Sequence, residues 1–177
     1  MDPIIIVCDN NGSPTGEYVS REVGHTGEGR HHLAITVLLI NKKGEVLLQE
    51  RKHKRFDRLW DLTGATDLRH FEDHDEAFEE ATLRCLKKEY GIEHVENLQN
   101  FDGFNYFQKW NEYCENEFCA MLIANFNGQV DLNSEVGYSY KWVSKQDFLK
   151  DIEENPQNYT PWAIEGVKVL KQTGFFK

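Results

Sequence analysis

Four stretches of the chain carry side chains with reactive or ligating chemistry. His25-Thr26-Gly27-Glu28-Gly29-Arg30-His31-His32 sets two imidazoles seven residues apart, just ahead of an apolar run. Cys114-Glu115-Asn116-Glu117-Phe118-Cys119 sets two carboxylates at alternate positions, a spacing that puts both on one face of a strand. From Asp75 to Gly91, Glu76, Arg84 and Glu89 fall in one helical segment. Lys52–Arg58, directly after Arg51, is a basic loop that includes Lys54 and Arg55. Imidazoles and carboxylates hold divalent ions such as Mg²⁺, Mn²⁺ or Zn²⁺, and guanidinium forks match phosphate oxygens. Each stretch also has an ordinary reading, because Glu and Arg at helical spacing commonly make a solvated face with i,i+4 pairs.

The elements that must position these groups are readable in outline. Ile4–Cys8 has strand composition, and the polar stretch 9–16 makes a turn to a second short strand. His32–Asn41 is rich in β-branched and aliphatic residues, as a buried strand is. Asn41-Lys42-Lys43-Gly44 then turns into Glu45–Glu50, which predicts a hairpin. Helical periodicity places Phe78, Ala81, Cys85 and Leu86 on one face, and Gly91 supplies the left-handed stop. Strand-like runs follow at 101–108, 117–126 and 137–143. Ser144 caps a helix over 145–154, and Thr160-Pro161 opens a last one. Mixed strands with one central helix and terminal helices predict an α+β protein, an α/β/α sandwich.

Composition narrows the partners. The chain has 177 residues, enough for one compact domain over 1–177, and shows no repeat, linker or low-complexity tract. A net charge of −10 argues against nucleic acid, which demands clustered Lys and Arg. No apolar run has the roughly 20 residues of a membrane helix, and the N-terminus lacks the basic flank and apolar core of a signal peptide. Cys8, Cys85, Cys114 and Cys119 form no CxxC pair, so reduced, buried thiols in a cytoplasmic chain are expected. Nothing marks an oligomeric state.

Glu76, seven intervening residues, Arg84 and then Glu89-Tyr90-Gly91-Ile92 resemble an eroded Nudix box, with His70, Cys85 and Lys88 at three of its other positions. With the paired histidines and the Glu-x-Glu, the chain from about Ile5 to Trp162 is similar to type 1 isopentenyl diphosphate isomerase, a branch of the Nudix superfamily. That resemblance implies a Nudix-type sandwich with a mixed sheet and one Nudix-like helix. It implies metal ligands at His25, His32, Glu89, Glu115 and Glu117, with Asp67 in the place of a third histidine. The ion would be Mg²⁺, or Mn²⁺ or Zn²⁺. The resemblance also places Arg21, Arg51, Lys54 and Arg55 on a diphosphate and Trp162 against a carbon skeleton, where an indole stabilises a carbocation. Tyr106 lies close to an active-site tyrosine of that family.

One departure bears on the reaction. The isomerase needs opposed proton-transfer groups, a Cys and a Glu. Its Trp-Thr-Asn-Ser-Val-Cys-Gly-His run is here Trp60-Asp61-Leu62-Thr63-Gly64-Ala65-Thr66-Asp67, so Ala65 stands in the place of the thiol. Cys114 and Cys119 flank the Glu pair and are expected to pack in or beside the sheet. Three readings stay open: a metal-dependent diphosphate hydrolase with Glu117 or Asp67 as general base, an isomerase in which Asp67, Tyr106 or water replaces the thiol, and a non-catalytic binder of a diphosphate metabolite. The missing thiol favours the hydrolase. The substrate class, whether an isoprenoid, nucleoside or sugar-linked diphosphate, is left open by these residues.

Overall fold

A computed structural model of the chain describes residues 2–176. Among these, nine strands and four α-helices follow in the order β1 (Ile4–Cys8), β2 (Pro14–Ser20), α1 (Arg21–His25), β3 (His32–Ile40), β4 (Glu45–Arg51), β5 (Trp60–Asp61), β6 (Gly64–Asp67), α2 (Phe78–Tyr90), β7 (Glu96–Trp110), β8 (Tyr113–Asn125), β9 (Gly137–Ser144), α3 (Lys145–Glu154) and α4 (Pro161–Gln172).

The helix boundaries follow their local chemistry. Gly91 takes φ 67° and donates to Lys87 O at 3.0 Å, ending α2 in the left-handed stop. Asp147 N donates to Ser144 Oγ at 3.0 Å at the head of α3. Ala163 N donates to Thr160 Oγ1 at 3.3 Å at the head of α4, with Pro161 in the first turn.

β3 is the axis of the mixed sheet. It runs parallel to β8 from His32↔Glu117 to Ile40↔Asn125, and β8 pairs in turn with the long antiparallel β7. On its other edge β3 pairs with β6 from Ala34↔Asp67 to Val37↔Gly64. The expected hairpin between β3 and β4 is a single pair, Ile40↔Val46. β4 then swings away to pair with β9 and β5. β4 and β6 therefore splay apart, and a cavity lies between them, lined by Gln49 and Arg51 on one side and Ala65, Thr66 and Asp67 on the other.

Alternation along β3 decides which face does what. Leu33, Ile35, Val37 and Leu39 pack with Ala81, Leu86 and Tyr90 of α2 in one core. Leu38 faces the other way, into a core with Met121, Phe148, Ile152, Ala163 and Val167 under α3 and α4. Burying each large aliphatic side chain contributes about 1.5–3 kcal/mol. Helices thus cover both faces of the sheet, as the α/β/α expectation requires. Nearer the start of β3, the face that carries Leu38 turns polar at His32, and there the functional side chains gather.

Candidate functional site

Strand register assembles the site. His32 sits beside Glu117 on β8, and Ala34 lies between Asp67 on β6 and Cys119 on β8. His25, the last residue of α1, comes in from above. Arg21 O accepts from His25 Nδ1 at 2.9 Å, and Arg30 O accepts from His32 Nδ1 at 2.6 Å. A carbonyl partner fixes the proton on Nδ1 and leaves Nε2 as the coordinating nitrogen of the neutral ring. Both Nε2 atoms point at the carboxylates. His25 Nε2 lies 3.5 Å from Asp67 Oδ1, 3.1 Å from Glu115 Oε2 and 3.9 Å from Glu117 Oε1. His32 Nε2 lies 3.5 Å from Asp67 Oδ1 and 3.6 Å from Glu117 Oε1, and it is buried without a hydrogen-bond partner.

These spacings fit a divalent ion. Donor atoms about 2.1 Å from a common centre, at tetrahedral or octahedral angles, stand roughly 3.0–3.5 Å apart. His25, His32, Asp67 and Glu117 present one donor each within 4.8 Å of one another. A buried, unpartnered ring nitrogen facing two carboxylates is what such a cradle leaves behind.

The electrostatics agree. Burial works against charge on His25 and His32, but Asp67 with Glu115, and Asp67 with Glu117, outweigh it and push the two rings up to about 11 and about 9. A cluster so rich in negative charge requires protons or a cation. Burial also opposes the Asp67 carboxylate, yet His25 and Arg21 hold it well below the usual range. Glu117 goes the other way, raised by burial and by Glu115 against the pull of His32. Neighbouring carboxylates driven apart are the signature of divided acid–base roles.

The basic side chains surround this cluster but are partly committed. Arg21 Nε donates to Asp67 Oδ2 at 2.6 Å, so Arg21 steadies a carboxylate as well as lining the cavity. Arg55 lies 3.4 Å from Glu115 Oε1, and its buried Nε has no partner. Arg51 lies 3.1 Å from Asp61, also with a buried, unpartnered Nε. Lys54 is exposed, with Nζ 4.7 Å from the centre of the Tyr113 ring, and does not line the cavity. Lys52 and His53 from the same loop do line it. Burial, with Arg51 and Arg55 beside it, pushes His53 down to about 4 and leaves it neutral.

Tyr106 and Trp162 complete the wall. Tyr106 donates to Glu117 Oε2 at 2.6 Å, leaving Oε1 toward the histidines. Trp162 Nε1 donates to Asp61 at 2.8 Å. Glu89 lines the same cavity from the α2 side, apart from the four-ligand cluster, and accepts from Gln49 Nε2 at 2.9 Å. Burial pushes it up to about 7. The Glu76–Arg84 pair is a clamp: Arg84 forks onto Glu76 at 2.6 and 2.7 Å and donates to Asp67 O at 2.9 Å, tying α2 to β6.

Ala65 lines the cavity, and two thiols do as well. Cys119 is buried in β8, as expected of a thiol packed in the sheet, and it also shares strand and face with Glu117 on the cavity wall. Cys85 reaches in from α2, 3.8 Å from Ala65 O. Burial, reinforced by Glu117 for Cys119 and by Glu89 for Cys85, pushes both thiols well up, so both stay protonated. Cys114 is buried outside the cavity, and all four cysteines are free. Sequence patterns gave no sign of Arg69, an isolated residue on the cavity wall, or of Asp61, buried behind Arg51 and Trp162.

Comparison with known proteins gives this arrangement a family. Residues 30–163 match the family model described as NUDIX domain. An isopentenyl-diphosphate Delta-isomerase from Shigella dysenteriae is 27% identical over 165 residues, covering 90% of this chain and 87% of that protein. A counterpart from Escherichia coli matches at 27% over the same shares, 90% and 87%. Among solved structures, a Deinococcus radiodurans protein superposes with a TM-score of 0.66 at 15% identity, covering 86% of this chain and 90% of that one. A MutT protein from Methanosarcina mazei gives 0.63 at 19% identity, covering 80% and 94%. The NUDIX domain of Shewanella oneidensis NrtR, complexed with ADP ribose, gives 0.54 at 18%, covering 81% and 86%. With the model matched across most of its length and a sandwich of the same fold around the cavity, this chain belongs to the Nudix family.

Proposed function

We propose that the protein is a metal-dependent hydrolase of a small diphosphate ester, built on an isomerase-like frame. The observation that carries this reading is a four-donor cluster in a cavity whose wall carries Ala65 at the place where the isomerase resemblance implies a thiol. Bound by His25, His32, Asp67 and Glu117, a divalent ion such as Mg²⁺ would neutralise diphosphate charge and make water more acidic. Arg51 and Arg55 grip phosphate oxygens through the guanidinium edges left free by Asp61 and Glu115, and Arg21 closes the far side. Glu117, whose Oε2 is fixed by Tyr106 and which stands beside the ion, takes the proton of the attacking water. Asp67, held ionised, serves as ligand and not as base.

The size of the site supports a small substrate. The cavity measures about 180 Å³, whereas sites for larger ligands begin at roughly 300 Å³. A diphosphate on a short carbon chain suits it better than a dinucleotide. The whole chain, on this reading, is a single domain serving one site.

A second reading has its own support. Trp162 and Tyr106 stand on the cavity wall, and the curated relatives are named as isomerases. Against it, Ala65 carries no exchangeable proton, and Cys119 stands on the strand of Glu117, beside that carboxylate and not across from it. Simultaneous ³¹P and ¹H NMR on isopentenyl diphosphate, ADP-ribose and nucleoside diphosphates with Mg²⁺ separates the two, since hydrolysis changes phosphorus signals and isomerisation changes alkene protons. Silence on every substrate, with binding retained, would indicate a non-catalytic binder.

A further inference from the structure

Asp61 is a buried carboxylate with no part in the chemistry above. It is 1% exposed and accepts from four donors. Oδ1 takes three of them: Leu62 N at 2.8 Å, Thr160 Oγ1 at 3.1 Å and Trp162 Nε1 at 2.8 Å. Oδ2 takes Arg51 Nη1 at 3.1 Å. The same guanidinium lies 4.8 Å from the centre of the Trp162 ring, and its buried Nε has no partner. One side chain thus ties the end of β4 to the first turn of α4, across β5.

The three bonds to Oδ1 explain α4, because capping Thr160 and anchoring Trp162 need an acceptor there. They do not explain Oδ2, which serves only a residue on the cavity wall. We infer that Asp61 is a positioning residue: it lays Arg51 against Trp162 so that the guanidinium is held on the cavity wall, ready for the diphosphate. This rests on the diphosphate reading of the cavity. The residue departs from the isomerase-like pattern, where a Thr follows the Trp, and so belongs to this chain's own design. A consequence is that the ring of Trp162 already carries a cation. A carbocation on that side would meet like charge, so this wall recognises an anion.

Two opposing effects make the test sharp. If Asp61 were merely a negative charge near the site, removing it would strengthen anion binding. If it positions Arg51, removing it must weaken binding. Asp61→Asn discriminates, because Oδ1 accepts three hydrogen bonds and must remain an oxygen. The amide nitrogen is then forced toward Arg51, donor against donor.

The experiment is calorimetric titration of the Mg²⁺-loaded full chain with inorganic pyrophosphate. Asp61→Asn and Arg51→Ala should each weaken binding at least about tenfold, as loss of an oriented charged hydrogen bond does. The double variant should be no weaker than Arg51→Ala alone. Arg51→Lys, which leaves Asp61 intact and does not depend on the Asn variant folding, should behave nearly like Arg51→Ala, since one ammonium cannot serve both Asp61 and phosphate. With 5-fluorotryptophan incorporated, the ¹⁹F signal that disappears in Trp162→Phe should shift in Asp61→Asn without any ligand. Tighter or unchanged binding in Asp61→Asn, or full affinity in Arg51→Lys, overturns the role of Asp61 and leaves the diphosphate site standing. No pyrophosphate binding by the unaltered chain overturns the diphosphate site, and this inference with it.

Discussion

At the scale of single residues, the proposed function divides labour between two carboxylates that differ in surroundings more than in chemistry. Asp67 is held charged against its burial by His25 and Arg21, whereas burial and Glu115 hold Glu117 closer to protonation against the pull of His32. Glu117→Gln keeps the volume and the acceptor for Tyr106 but removes the base. Steady-state phosphate release in that variant should fall by at least about 100-fold while its melting temperature stays near that of the parent. Full activity would remove Glu117 from the chemistry. The residues that form this cluster were legible in the sequence because the histidine spacing and the Glu-x-Glu resemble a known branch of the family. Asp61 was not, because a single Asp beside Trp60 has no period or partner until the β4–β6 splay brings Arg51 and Trp162 to it. Lys54 shows the converse: the resemblance placed it on a diphosphate, and the turn of the loop sends it outward onto Tyr113.

At the scale of elements, the strongly patterned segments were readable and the short ones were not. Caps at Ser144 and Thr160 and the Gly91 stop fixed three helices because each supplies a group that the helix ends require. β5 and β6, two and four residues long, and the five-residue α1 carry too few positions for any periodicity to show. They are also the elements that deliver His25, Asp61 and Asp67. Their positions come from tertiary contacts, among them the Glu76–Arg84 clamp that ties α2 to β6. Glu76 is 4% exposed, so deleting Arg84 leaves a buried carboxylate with the Arg69 amide as its remaining donor and, among the described residues, no opposite charge in contact. Arg84→Ala should destabilise the fold by about 3 kcal/mol in urea titration. It should also weaken metal binding, since the Asp67 carbonyl loses its tether. Loss of stability with unchanged metal affinity would show the clamp to be structural alone.

At the scale of the whole molecule, the proposed function has an acidic protein accommodate an anion by concentrating cations around a cluster that itself needs a cation. Without metal, that need is met by protons on His25 and His32, whose folded values of about 11 and about 9 lie above the ordinary 6.5. The sign follows directly. Their stabilisation is complete below about pH 6.5 and is lost as pH rises through about 9 and then about 11. Chelator-treated protein should therefore lose denaturation midpoint on raising the pH above neutrality, and added Mg²⁺ or Mn²⁺ should flatten the profile by replacing the protons. A profile that ignores both pH and metal would mean that the cluster holds neither.

The central claim is that this frame directs water at a diphosphate instead of moving a double bond, and one time course tests it. Isopentenyl diphosphate, Mg²⁺ and the purified chain are followed by ³¹P and ¹H NMR in the same tube. Growth of orthophosphate or pyrophosphate signals with the alkene protons in place is the result expected. Conversion of those protons to the dimethylallyl pattern, with the diphosphate intact, would contradict the account and make the chain an isomerase that works without a thiol at position 65.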